Sequence, residues 1–219
     1  FEQNQNQTEI YYLEENSKNS KNSINSTNSK NSKNSNCGEI TNPNSTEEEK
    51  IGPFSFFCHA LLGKGSFGEV YLVEKKDTGM FYAMKVLSKD KIMGQNLIKY
   101  AMTERNVLSF TNHPFIVKLN FAFQSNNKLF LILDFCPGGD LSQHLSQEKR
   151  FTEERAKIYL CEIILALEDL HKRDIIFRDL KPDNVVLDFD GHAQLTDFGL
   201  SKEGVFDNKA AKSFCGYVF

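Results

Sequence analysis

The chain predicts an α+β fold in two lobes, and three observations lead there. Composition turns abruptly from polar to apolar at Ile51, short strand-like runs dominate from Phe56 to Phe135, and one long helical segment follows from Thr152. Strands that come first and helices that come after segregate into layers, whereas a parallel α/β sheet needs the two to alternate.

From Asn16 to Ser35 the chain runs in triplets (Asn-Ser-Lys, Asn-Ser-Lys, Asn-Ser-Ile, Asn-Ser-Thr and so on) with almost nothing to bury. Such a segment cannot offset its ordering entropy, so residues 1–50 read as a disordered leader and residues 51–219 as the folded domain. Phe56–Leu62, Glu69–Glu74 and Phe81–Leu87 are β-branched or aromatic runs separated by glycines or by Asp77-Thr78-Gly79, which predicts three antiparallel strands. Leu97, Tyr100, Ala101, Glu104, Val107 and Leu108 recur at helical spacing. Two more strands are expected at Val117–Gln124 and Leu129–Phe135. The long helix should start at Thr152 as N-cap, with Glu153 and Glu154 in its first turn, and end at His171-Lys172-Arg173, where cations suit the helix dipole.

The 219 residues are 40% hydrophobic and carry a net charge of −3, an ordinary balance for a soluble globular protein and no match for a nucleic-acid or membrane surface. The apolar run Leu160–Leu167 is broken by Glu162 and is far shorter than the roughly 20 residues a bilayer span needs. Cys37, Cys58, Cys136, Cys161 and Cys215 are scattered, odd in number and without a C-x-x-C pair, so they read as reduced thiols of the cytosol or nucleus. Phe1 opens the chain with no basic segment and apolar core behind it, so no secretory signal is expected and the true N-terminus should lie upstream.

Gly63-Lys64-Gly65-Ser66-Phe67-Gly68 fits G-x-G-x-x-G, a pattern that dinucleotide-binding folds also use. In those folds the last glycine opens a helix and an acid follows about 20 residues on. Here the glycines lead into the strand Glu69-Val70-Tyr71-Leu72-Val73, and Lys85 stands 20 residues after Gly65. A glycine loop between strands, with a lysine on the next strand, suits a triphosphate. Further along, Ile176-Phe177-Arg178-Asp179-Leu180-Lys181-Pro182-Asp183-Asn184 is followed, 13 residues beyond Asn184, by Asp197-Phe198-Gly199. Phosphoryl transfer to an alcohol needs a carboxylate at the attacking hydroxyl, a cation at the moving phosphoryl and an amide oxygen for a metal; Asp179, Lys181 and Asn184 are residues of those types.

On these motifs, with Ala83-Met84-Lys85, the chain resembles the eukaryotic protein kinase family over Pro53–Gly216. The resemblance implies a protein-kinase-like fold, with an antiparallel N-lobe sheet plus one helix and a mostly helical C-lobe, here truncated. It implies ATP and Mg²⁺ as cofactors. Lys85 would bind phosphates and pair with Glu104, and Asp179 and Lys181 would serve the acceptor and the phosphoryl group. Asn184 and Asp197 would hold the metal. Leu62, Gly63, Lys64, Gly65, Ser66, Phe67, Gly68 and Thr196 would line the nucleotide. Leu133 would stand as gatekeeper, Asp134 and Cys136 would offer backbone groups to adenine, and Val70, Ala83 and Val186 would sandwich its ring.

Lys181 after the catalytic aspartate is what Ser/Thr kinases carry. His113-Pro114-Phe115-Ile116-Val117, Pro137-Gly138-Gly139-Asp140-Leu141 and Ser213-Phe214-Cys215-Gly216 resemble the AGC group. Asp140, also placed in the nucleotide-binding set, and Asp183 match acids that receive a substrate arginine, so protein substrates with basic sites around a Ser or Thr acceptor are expected. Ser213 matches the activation-loop phosphosite for an upstream kinase, with Arg178 as the phosphate's partner. The sequence departs from the family in three ways. Phe177 stands where most members have His and AGC members often have Tyr, Tyr217-Val218-Phe219 replaces the expected Thr-Pro-Glu-Tyr, and no Ala-Pro-Glu or later helices follow. An ATP-binding pseudokinase, a scaffold or an inactive fragment is the alternative; the intact Lys85, Glu104, Asp179, Asn184 and Asp197 favour an enzyme.

Overall fold

The computed structural model describes residues 9–12, 51–65, 68–94 and 98–204. Strands β1 (Glu9–Tyr12), β2 (Phe56–Lys64), β3 (Gly68–Lys75), β4 (Phe81–Ser88), β5 (Leu119–Gln124) and β6 (Lys128–Asp134) form one sheet in the order β1-β5-β6-β4-β3-β2. From β2 to β6 every neighbouring pair is antiparallel, as the turn spacing predicts for β2 to β4 and as the family resemblance implies for the sheet. Between β4 and β5 lie two helices, α1 (Lys89–Gly94) and α2 (Ile98–Phe110). The periodicity found α2 but not α1, whose six residues are too few to show a period. Leu97, at the head of the predicted helical set, lies outside the described residues.

Strand β1 lies near the start of the chain. It sits within the stretch read as disordered leader, yet pairs in parallel with β5 through Glu9↔Phe121 to Tyr12↔Gln124. Ile10-Tyr11-Tyr12 is a β-prone triplet that precedes the Asn-Ser repeat, so averaging over the whole leader hid it.

The second half holds α3 (Leu141–Glu148) and α4 (Glu153–Lys172), then a small hairpin of β7 (Val185–Leu187) and β8 (Ala193–Leu195). Helix α4 begins as its sequence dictates: Thr152 is N-cap and its side chain accepts the Arg155 N–H at 3.3 Å. Its buried residues Tyr159, Glu162, Ile163, Ala166 and Leu170 form a single stripe. Helix α3 was not anticipated. Its start is marked by Asp140, whose carboxylate accepts from the Gln143 N–H at 2.8 Å and from the Gln143 side-chain amide at 2.7 Å.

A continuous apolar cluster joins the halves. Val107 and Leu108 of α2, Leu131 and Leu133 of β6, Ala166 and Leu170 of α4, and Ala193 and Leu195 of β8 belong to it. Phe56, Tyr82, Phe123 and Phe130 build a separate aromatic core within the sheet, Phe123 stacking on Phe130 at 5.1 Å. Among the described residues no helix is long and apolar enough to cross a membrane, and Cys58, Cys136 and Cys161 are free thiols.

Candidate active site

Three segments remote in sequence meet at Lys85. Its Nζ lies 2.6 and 2.8 Å from the two oxygens of Glu104 and 3.1 Å from Oδ1 of Asp197. Register places Lys85 on the central strand β4 between Val70 of β3 and Leu131 of β6, and Glu104 sits on the face of α2 turned to the sheet. Burial alone would pull the Lys85 ammonium down, but the charges of Glu104 and Asp197 outweigh it and hold the group above its ordinary range. Burial pushes the Glu104 carboxyl up, against the opposing pull of Lys85. Burial also acts upward on Asp197, yet Lys85, with help from Lys181, holds its carboxyl below the usual carboxylate range. The outcome is a half-buried cation held between two carboxylates.

Asp179, Lys181 and Asn184 form a second group. Asn184 donates from Nδ2 to the Asp179 carbonyl at 2.9 Å and to its Oδ2 at 2.8 Å, while Lys181 Nζ stands 3.1 Å from the same Oδ2. The Asp179 backbone and carboxylate are thus both tied to one amide. Thr196 N–H donates to the Asn184 carbonyl at 3.0 Å, which brings Asp197 alongside. Arg178 and Asp197 both have left-handed backbones, φ 66° and 62°, a conformation that costs a non-glycine residue on the order of 1 kcal/mol. Arg178 is locked there by its side chain, which donates to the carbonyls of Leu200 at 2.7 Å and Ser201 at 3.2 Å. Beneath both groups, Phe177 and Phe198 meet edge to face at 5.0 Å, each almost wholly buried.

The glycine loop turns between β2 and β3, with Gly65 N–H donating to the Gly68 carbonyl at 2.9 Å. Gly68 is required for space: a Cβ there would lie 2.0 Å from the Val86 carbonyl oxygen, a backbone atom that cannot swing away. Gly63, by contrast, has nothing within 4 Å of an added Cβ. Gly68→Ala should destabilise the protein by about 1–3 kcal/mol in urea unfolding, as overpacking does, and Gly63→Ala by well under that. Lys64 pairs with Glu69 at 3.1 Å across the loop, and Leu62 is exposed at a bulge between the Leu61 and Gly63 pairings. Ser66 and Phe67 lie outside the described residues, as does Ser213.

Of the residues expected around adenine, Leu133 is buried, and Ala83, Cys136 and Val186 pack against the same cluster. Ala83 faces Leu133 in register and Val70 is half-buried on the neighbouring strand. Asp134 pairs with Tyr82, and its carboxylate accepts from Asn120 at 2.7 Å. The half-buried Cys136 thiol is pushed up to about 12 by its burial and by the charges of Asp134 and Asp188, and is neutral at ordinary pH. Asp140 bridges to Val186 through its backbone and caps α3, and Asp183 is exposed.

Among the described residues no three His, Cys, Asp or Glu side chains are grouped to hold a metal. Asn184 and Asp197 would therefore offer two oxygens and leave the remaining positions to phosphate and water. That donor set fits Mg²⁺, which keeps waters and binds through one or two carboxylates plus substrate phosphates. The contact of Asp197 with Lys85 was missed by sequence reasoning, because 112 residues separate the pair. So was the role of Glu162, which is buried in α4 and accepts from Ala193 N–H at 2.7 Å and pairs with His192 Nδ1 at 2.6 Å. The one visible signal was a charge inside an apolar run.

Residues 56–218 match the family model described as Protein kinase domain. The chain is 50% identical over 171 residues to the RAC family serine/threonine-protein kinase homolog of Dictyostelium discoideum, covering 78% of this chain and 38% of that protein. It is 45% identical over 189 residues to the human RAC-beta serine/threonine-protein kinase, covering 82% and 39%. To the human Ribosomal protein S6 kinase alpha-6 it is 54% identical over 182 residues, covering 82% and 24%. The chain thus spans less than half the length of these relatives. Their identity, the domain match and the meeting of Lys85, Glu104, Asp179, Asn184 and Asp197 agree, and the chain belongs to the protein kinase family, among the AGC serine/threonine kinases.

Proposed function

We propose that this chain forms the nucleotide-binding and catalytic part of a protein serine/threonine kinase that moves the γ-phosphoryl group of ATP to Ser or Thr hydroxyls of protein substrates. The observation that carries the reading is the Lys85–Glu104 pair at 2.6 Å with Asp197 3.1 Å away on its other side. Phosphoryl transfer demands positioning and neutralisation of charge more than covalent chemistry, and a lysine fixed from two sides is a preset cation for phosphate oxygens. Asp179 receives the hydroxyl's hydrogen and holds the nucleophile, and Lys181 steadies that carboxylate. Asn184 and Asp197 would hold Mg²⁺, which would supply charge neutralisation at the phosphates. Leu133, Ala83, Val70 and Val186 would enclose the adenine ring, with the Asp134 and Cys136 backbone groups offered to it.

Asp183 is the freer of the two acids proposed to receive a substrate arginine, since Asp140 already caps α3. A phosphate on Ser213, added by an upstream kinase, would draw on Arg178 to order the activation segment. Free thiols suit a reducing intracellular compartment.

The test is transfer of γ-³²P from ATP to an arginine-containing serine peptide by the full-length protein. Label should appear in the peptide and be lost with Asp197→Ala. Nucleotide binding without any transfer would select the pseudokinase reading instead.

A further inference from the structure

Helix α2 carries Glu104 but contributes no cation to its own last turn, and no glycine follows it to close the end. Its final carbonyls must find donors elsewhere. Thr111 N–H takes the Val107 carbonyl at 3.1 Å, while the Thr111 hydroxyl is buried without a partner. The Phe110 carbonyl takes its donor from the other half of the molecule: Arg173 Nη1 reaches it at 3.0 Å. Arg173 is itself the C-cap of α4 and is gripped by Asp169, Nε to Oδ2 at 2.9 Å and Nη2 to Oδ1 at 3.3 Å. One guanidinium therefore stands at the negative ends of two helices, with its plane set by a carboxylate one turn back.

We infer that Arg173, oriented by Asp169, is a positioning residue that pins the C-terminal end of α2 to the helical half and so sets where Glu104 meets Lys85. The inference rests on the kinase reading of that pair. Glu104 lies six residues before the pinned carbonyl, so a pivot that slips lets α2 swing and carries the carboxylate off the lysine. Phe110 is 69% exposed and supplies little packing to hold that end by itself. The side chain of Arg173 is 41% exposed, so its loss should spare the fold.

A double-mutant cycle in the full-length protein tests this, read by binding of a fluorescent ATP analogue and by peptide phosphorylation. Arg173→Ala should weaken the analogue about threefold and lower kcat about fivefold while KM for the peptide stays put. Arg173→Lys, which keeps the charge but loses the fork, should fall between. In a Glu104→Gln background Arg173→Ala should have no further effect on binding, because the pair it served is already broken. An undiminished effect in that background overturns the inference, as does an unchanged affinity in Arg173→Ala alone. If the wild-type protein binds no nucleotide, the kinase reading itself fails and this inference with it.

Discussion

Asp179→Asn should lower phosphoryl transfer by about two to four orders of magnitude while nucleotide affinity stays within about threefold. The change removes one charge and almost no volume. Asn184 Nδ2 donates to both the backbone carbonyl and the side chain of Asp179, and an asparagine at 179 keeps that carbonyl and one side-chain oxygen, so both bonds can persist. The loop should therefore hold its shape, left-handed Arg178 included, because that residue is tied to Leu200 and Ser201. What disappears is the negative charge and the second carboxylate oxygen, Oδ1, that would take the hydroxyl's hydrogen, while Oδ2 is the one engaged by Asn184 and Lys181. Single-turnover kinetics with a serine peptide, alongside titration of a fluorescent nucleotide, separates the two quantities. A rate within tenfold of wild type would remove Asp179 from its role.

Lys85→Met should cost about 3–5 kcal/mol of stability besides abolishing transfer, since it strands a buried carboxylate. Glu104 has a side chain 4% exposed, and among the described residues it pairs with no cation besides Lys85. The penalty depends on pH, and its sign follows from burial. A carboxyl whose folded-state pKa is raised holds its proton more tightly in the native protein than in the unfolded chain. The destabilisation is thus present above that raised value and fades as pH falls through it. Lys85→Met with Glu104→Gln removes both charges and should recover most of the stability at neutral pH with no recovery of activity. Urea titrations at pH 5 and pH 8 check all three forms. A single variant as stable as wild type at pH 8 would mean that the pair is not buried as described.

Much of this was legible in the residues. Apolar runs between Phe56 and Phe135 gave β2 to β6 with boundaries off by two residues or fewer, because turn residues bracket most of the strands. Thr152 gave the start of α4 through a cap that the side chain does make. The short elements were not legible. β7 and β8 have three residues each and exist because Leu187 and Ala193, Val186 and Gln194, and Val185 and Leu195 find one another across a turn at Gly191. Helix α3 failed for a related reason: Pro137-Gly138-Gly139 reads as loop, and only the capping bonds of Asp140 reveal that a helix starts there. In the site, residue types and motif spacing pointed to Lys85, Asp179, Asn184 and Asp197, but which atoms touch is a property of the fold. Asp197 on Lys85 and Arg173 on Phe110 cross gaps of 112 and 63 residues, beyond any local pattern.

Phe177 against Phe198 bears on how the enzyme would answer acid. Where relatives commonly place an imidazole or a phenol, this joint is hydrocarbon on both sides, its centroids 5.0 Å apart. No atom in it can gain or lose a proton, so acidification has no grip on the brace beneath the reacting groups. Loss of turnover at low pH would have to come from the carboxylates above it, and a titration of activity would report their protonation undisturbed by a softening floor.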